Sequence, residues 1–262
     1  MPERISSLQN QRVKEAVLLL DKSRERRERG LFVVEGRREF SRAVASGYLP
    51  YEIFWCGGQG NPGDFGCPSF EVSSEVYGKM AYRDGTEGLV AVMHTRKLSF
   101  DDISLKEKPL VLVLESVEKP GNIGAVLRTA DAAGVDAVVV CDPLTDLYNP
   151  NLIRASLGAV FSVPVVACSS EEAFRWISSC GMRILTAQLQ DSRLYYDTDM
   201  TCPTAIVFGT EDKGLTDFWR ERSDARIRIP MAGLMDSLNV SVSAAILCFE
   251  AVRQRNIASC RK

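Results

Sequence analysis

Residues 229–255 read IPMAGLMDSLNVSVSAAILCFEAVRQR. From Val240 onward the stretch is apolar enough for a buried helix, yet its mouth holds Ser237, Leu238 and Asn239, two small polar residues bracketing a leucine. Either polar residue would serve as a helix N-cap. Pro230 and Met231 follow what reads as a short strand, so the segment is a strand end, a loop and a helix start. On this stretch alone, a plain cap and a site wall fit equally well.

Upstream, apolar strands alternate with helices. The strands are LVLVLES (110–116), DAVVVCD (136–142), VPVVAC (163–168), RILTAQ (183–188) and TAIVFG (204–209). Helices are expected from about Ile123 to Gly134, in PNLIRASLGAV (150–160) and in EEAFRWISSC (171–180). Strands that are apolar on both faces, separated by helices, predict an α/β fold whose parallel sheet is covered on both sides. In such sheets ligands bind beyond the C-terminal strand ends, so the loops there are where site residues are expected.

The loop after LVLVLES opens EKPGNIGAVLRTADAAG (118–134). Gly121 and Gly124 let backbone amides approach an anion at a helix start, but the spacing is not the GxGxxG of dinucleotide sites. Asn122 and Arg128 instead project a carboxamide and a guanidinium from the same helix start; a tight turn with a surface arginine fits as well. TAQ (186–188) follows another strand. In VFGTEDKGL (207–215), Gly209 and Gly214 frame Glu211, an acid able to hold a polar group or accept a proton.

The first hundred residues read as a smaller α/β unit. A charged helix from about Ser7 to Arg29 precedes the strand LFVVEG (31–36), a helix in REFSRAVASG and the strand YEIFWC (51–56). A Gly/Pro-rich loop, GGQGNPGDFGCPS (57–69), and a strand GLVAVMH (88–94) follow. LSFDDISLKEKP (98–109) is polar, ends in proline and suits a linker. Within the first helix, KSRERRER (22–29) carries five basic and two acidic side chains in a chain whose net charge is −2. Any nucleic-acid surface must therefore be local; a solvated face with i,i+4 pairs is the alternative.

Eight cysteines without a CxxC pair and one histidine, His94, give no zinc-ligand spacing and no Ser-His-Asp arrangement unless His94 serves. His94, at a strand end, is read as structural, and no metal is expected. No leader-like or bilayer-length apolar segment is evident, so a cytoplasmic protein without membrane attachment is expected.

NIGAVLR, FGTEDKGL and IPMAGLMDSLNVSVSA, in this order over about 150 residues, resemble the three motifs of the SpoU (TrmH) family of RNA 2′-O-ribose methyltransferases in the SPOUT superfamily. FVVEGRREFSRAV and EGLVAV are similar to the small L30e-like substrate-binding domain on the ribosomal-RNA branch of that family. One departure is visible: members commonly carry glycine after the motif-two glutamate, whereas this chain has Asp212 and Lys213.

The resemblance implies an L30e-like RNA-binding domain over 1–97, a linker over 98–109 and, over 110–262, a SPOUT domain with a parallel sheet and a deep trefoil knot. It implies S-adenosylmethionine as cofactor, held by backbone groups at Gly209, Ile229 and Leu238, with Thr186, Ala187 and Met231 as further walls. Arg128 matches the family's catalytic arginine. A guanidinium stays protonated at ordinary pH, so a fork onto the target phosphate is a better role for it than that of base. Asn122, Glu211, Ser237 and Asn239 complete the implied catalytic set, with Glu211 the alternative proton acceptor. Arg24, Arg26, Arg27, Arg29 and Arg37 are candidate RNA-facing residues. The implied partners are RNA, ribosomal first and transfer RNA second, and a second copy of the chain in a homodimer. A catalytically silent RNA-binding module of the same fold is the rival reading.

Overall fold

A computed structural model of the chain describes residues 3–57, 60–81 and 88–259. Gly58 and Gln59 of the glycine-rich loop, and Glu87 of the EGLVAV stretch, lie outside the described residues. The chain forms two compact units, Met1–Arg96 with Asp146–Ser162, and Lys97–Thr145 with Val163–Lys262.

The first unit begins with β1 (Glu3–Ile5), α1 (Gln11–Asp21), α2 (Ser23–Arg29), β2 (Leu31–Glu35) and α3 (Arg37–Ala45). It continues with β3 (Pro50–Trp55), β4 (Ser69–Val72), α4 (Ser74–Met80) and β5 (Leu89–His94). Its five strands form a mixed sheet in the order β1-β4-β3-β5-β2. Side chains alternate across β2: Leu31 and Val33 join a core with Val13, Leu19, Val76 and Met80 of α1 and α4. Phe32, pointing the other way, meets Tyr48, Tyr148 and Phe161 with ring centroids 4.4–5.9 Å away.

The single helix expected from Ser7 to Arg29 is two helices. Asn10 caps α1 by accepting from Arg12 N at 2.9 Å, and Lys22 is extended (φ −114°, ψ 109°). The break has a physical cause: Arg26 of α2 turns inward and donates to Leu19 O and Leu20 O at 2.6 and 3.0 Å. Carbonyls of the last turn, which lack intrahelical partners, are thereby satisfied. Gly30 (φ +63°) ends α2.

The second unit opens with a short 3-10 turn, Phe100–Asp102, whose Phe100 ring stacks on Trp176 at 4.5 Å. The stretch expected as a linker is thus packed. It is followed by β6 (Leu110–Glu115), α5 (Pro120–Ala133) and β7 (Ala137–Cys141). The next two helices, α6 (Pro150–Ala155) and α7 (Ala159–Ser162), replace the one expected over 150–160, because Leu157 and Gly158 are both left-handed (φ 52° and 82°). They belong to the first unit: Arg42 donates to Leu157 O at 2.7 Å, and Asp146 pairs with Arg26 at 2.6 Å.

The chain then forms β8 (Val165–Cys168), α8 (Ser170–Ser179), β9 (Arg183–Ala187), β10 (Arg193–Leu194) and β11 (Thr204–Phe208), and ends with α9 (Asp217–Glu221), β12 (Ala225–Arg228) and α10 (Val240–Ser259). All seven strands are parallel, in the order β10-β12-β9-β11-β6-β7-β8. Val111, Val113, Val139 and Val207 pack with Ile177 and Trp219 on one face. The intervening Leu112, Leu114, Val138 and Ile206, equally buried, face the other way. Arg255 near the end of α10 ties the helix to the sheet edge through Lys108 O, Pro109 O, Met200 O and Cys202 O, at 2.7–3.1 Å. Among the described residues, no helix is long and apolar enough to cross a membrane.

Candidate active site

From β6 the chain builds outward through β7 and β8, while β9, β11 and β12 lie on the other side of β6. The loops after β6 and β11 therefore diverge, and parallel sheets place ligand crevices at such a switch point. Both loops carry motif residues. Pro120 occupies the first turn of α5, where its missing N–H costs nothing. The residue before a proline is biased to extended backbone, and Lys119 adopts it (φ −71°, ψ 116°).

Three residues far apart in sequence meet here. Asn122 Nδ2 donates to Glu211 Oε1 at 3.0 Å, Asn239 Nδ2 donates to the same oxygen, and Asn239 Nδ2 also donates to Asn122 Oδ1 at 3.2 Å. Glu211 Oε2 receives Lys119 Nζ. Asn239 does two jobs: its Oδ1 caps α10 by accepting from Ser241 N at 3.0 Å, while its amide joins Glu211. The polar mouth of the last helix is thus both cap and site. The Lys119 ammonium is the main reason the Glu211 carboxyl lies below its ordinary 4.5, with the two carboxamides adding to it; Glu211 in turn raises Lys119.

Ser237 and Arg128 stand outside this network. Ser237 Oγ reaches Asp236 Oδ1 at 3.4 Å, and Arg128 is exposed with no hydrogen bond or ion pair among the described residues. Sequence reasoning missed Lys119, because a lysine before a helix reads as solvated. It also missed Glu115, a buried carboxylate at the end of β6 that holds Thr216 N at 2.9 Å and Thr216 Oγ1 at 2.5 Å. A glutamate closing an otherwise apolar strand was the available signal.

Beside the network lies a cleft of about 340 Å³ at the ends of β9, β11 and β12. Its volume is at the lower end of the usual range for small-molecule sites, about 300–1,000 Å³. Of the residues expected to hold the cofactor, Ala187, Gly209, Ile229, Met231 and Leu238 line it, joined by Ser237, Glu211, Gln188 and Phe208. Thr186 does not: its side chain is fully buried within the sheet, its Oγ1 without a hydrogen-bond partner. Alternation along β9 turns Thr186 inward and leaves the wall to Ala187.

Gly209 is dictated by close approach. A Cβ there would sit 2.2 Å from both C and O of Gly214 and 2.4 Å from Leu215 N. The loop doubles back so tightly because Thr210 and Gly214 exchange two backbone hydrogen bonds of 3.1 Å. Gly214 (φ +69°) supplies the left-handed turn, whereas Asp212 is not among the residues with positive φ. Asp212 in place of the family's glycine therefore leaves the loop intact.

Of the basic candidates, Arg24, Arg27 and Arg29 are exposed, with Arg24 paired to Glu28 at 2.6 Å and Arg29 to Glu15 at 2.8 Å. Exposed pairs of this kind are weak and leave both arginines able to change partners. Arg37 is half-buried and donates to Gly60 O at 2.7 Å. Arg26 must be withdrawn as an RNA-facing residue: its side chain is 3% exposed and bound to Asp146 and two carbonyls.

Residues 109–249 match the SpoU rRNA Methylase family, and residues 10–91 match the MRM3-like substrate binding domain. The chain is 29% identical over 249 residues to the 23S rRNA (guanosine(2553)-2′-O)-methyltransferase RlmP of Bacillus subtilis, covering 94% of this chain and 98% of that one. It is 37% identical over 150 residues to the 23S rRNA (guanosine-2′-O-)-methyltransferase RlmB of Pseudomonas putida, covering 57% of this chain and 60% of that one. The crystal structure of an AdoMet-bound rRNA methyltransferase from Sinorhizobium meliloti superposes with a TM-score of 0.88 at 28% identity, over 96% of this chain and 97% of that one. With the motif residues gathered at one switch point and more than half its length matched, the chain belongs to the SpoU rRNA methylase family.

Proposed function

We propose that this protein methylates a ribose 2′-hydroxyl of ribosomal RNA, taking the methyl group from S-adenosylmethionine. The observation that carries this reading is the convergence of Asn122, Glu211 and Asn239, from three separate motifs, beside a cofactor-sized cleft. When bound, S-adenosylmethionine supplies an electrophilic methyl on a sulfonium whose departing thioether is neutral. The protein has only to hold the reactants in line and ease the hydroxyl's loss of its proton.

The cleft fits the cofactor in kind as well as size. Phe208, Ile229, Met231 and Leu238 offer apolar walls, and Gly209 and Gly214 line the cleft without side chains that would narrow it. Arg128, exposed and unengaged, forks onto the phosphate next to the target ribose and lowers the hydroxyl's pKa electrostatically. Glu211 receives three donors on its two oxygens, which suits it to orient Asn122 and Asn239 rather than to take the proton. Ser237, on the cleft rim, faces cofactor and ribose alike.

The reading extends to the assembly. α10 leaves Val242, Phe249 and Ile257 exposed at helical seven- and eight-residue spacing, an apolar stripe that pairing with a second copy would cover. The deep trefoil knot of SPOUT enzymes goes with it, in the stretch from Gly209 to α10. RNA is gripped in part by the exposed arginines of α2, and a ribosomal substrate makes the cytoplasm the compartment of action.

The test is transfer of labelled methyl from S-adenosylmethionine into ribosomal RNA from cells lacking the protein, followed by nucleoside analysis. Label in a 2′-O-methylated nucleoside of one RNA size class is expected. Label in a methylated base, or cofactor binding without transfer into any RNA, would overturn the assignment.

A further inference from the structure

The hydrogen atoms around Glu211 can be counted. A carboxamide has two donor hydrogens and an ammonium three. Asn239 directs both of its Nδ2 hydrogens inward, to Glu211 and to Asn122, and its Oδ1 is taken by Ser241. Asn122 gives one hydrogen to Glu211 and its Oδ1 accepts from Asn239. What remains outward is one N–H of Asn122 and the rest of the Lys119 ammonium, whose side chain is 71% exposed.

Lys119 is an odd residue for its place. It occupies the N-cap of α5 without a side-chain cap bond, where the helix dipole disfavours a cation. A local rule broken without local gain points to a role in the site. Its surroundings supply that role. Without Lys119 the mouth of the site would present the bare negative charge of Glu211, with Glu118 and Asp212 near by, to an incoming polyanion. With Lys119 in place, Glu211 is neutralised and both its oxygens are pinned.

We propose that Lys119 is a positioning residue for methyl transfer: it clamps the Glu211 carboxylate, and through it fixes the carboxamides of Asn122 and Asn239 so that the one outward N–H of Asn122 is aimed at the ribose and its phosphate. The proposal rests on the ribose-methylation reading above. Lys119 acts through Glu211 and makes no essential contact with RNA, and it does not line the cofactor cleft.

A double-mutant cycle on the full chain separates these roles. Lys119→Met is expected to lower kcat on the order of tenfold, with S-adenosylmethionine affinity by calorimetry changed less than about twofold. Lys119→Arg restores most of the rate, and Lys119→Met adds nothing further to Glu211→Gln. Multiplying losses in the double variant would place Lys119 on the RNA itself and overturn the proposal. A second readout needs no turnover: in Lys119→Met the Glu211 carboxyl, followed by carbon-13 NMR, titrates closer to its ordinary 4.5. An unmoved titration would refute the clamp even in a fully active enzyme. Absence of methyl transfer by the unsubstituted protein would sink the ribose-methylation reading instead, leaving the titration to decide about Lys119.

Discussion

Gly209→Ala tests the site at its narrowest point. The added Cβ would lie 2.2 Å from two backbone atoms of Gly214, and a backbone cannot swing aside as a flexible side chain does. Ordinary Cβ contacts begin at 3.4 Å, so the loop must open by about 1 Å. Opening breaks the two Thr210–Gly214 hydrogen bonds. At about 1 kcal/mol net for each bond, with strain on top, the loss is roughly 2–3 kcal/mol. Gly209 and Glu211 line the cleft, so the cost falls on the conformation that binds the cofactor. An energy of that size corresponds to about a 30- to 150-fold weaker Kd for S-adenosylmethionine by titration calorimetry. β11 ends at Phe208, so secondary structure by circular dichroism should be retained. A Kd within about threefold of the unsubstituted protein would refute the claim that this close approach builds the pocket.

Arg128→Lys keeps the charge but loses the fork, so kcat should fall on the order of a hundredfold at unchanged cofactor Kd; near-full turnover would rule out bidentate phosphate binding. Arg26→Ala strands Asp146 and two helix-end carbonyls, and urea unfolding should report a loss of about 3–5 kcal/mol, against under about 1 kcal/mol if Arg26 were a surface residue. If the exposed stripe of α10 is the proposed interface, the unsubstituted protein should sediment as a dimer and Phe249→Glu as a monomer; an equal sedimentation coefficient for both would refute that interface. Glu211 has a folded pKa below its unfolded one, so it binds fewer protons when folded; its contribution is complete above about pH 4.5 and is withdrawn as pH falls through the lower folded value. Glu211→Gln should therefore flatten that acid limb of the thermal-stability profile, and a limb of equal depth in both proteins would assign it to other carboxylates.

The parallel sheet of the second unit was legible because its strands are apolar without interruption, and burial on both faces leaves few other arrangements. The convergence of Asn122, Glu211 and Asn239 was legible only through the family resemblance, since nothing in their spacing announces contact between positions 89 and 117 residues apart. The failures have physical reasons. Arg26 looks identical to Arg24 and Arg27 in the sequence, and what removes it from the surface is Asp146, 120 positions on. Thr186 and Ala187 are neighbours, and strand alternation alone decides which one reaches the cleft. Lys119 carries no pattern of its own; its importance arises from the carboxylate that folding delivers to it.

The helices between Asp146 and Ser162 have a consequence for how the protein is made. With the loop that leads into them, which carries Asp146 and Tyr148, they supply the rings that cover Phe32 and the carboxylate that pairs with Arg26, so the first unit cannot close its core until residue 162 has been synthesised. Chain order and folding order are therefore different: β6, α5 and β7 emerge while the earlier unit is still incomplete. At about 5–20 residues per second the delay beyond residue 96 is several seconds, during which an aromatic face awaits its cover. A fragment cut at the apparent boundary near residue 97 would carry that exposed face permanently, and aggregation rather than RNA binding would be its first observable property.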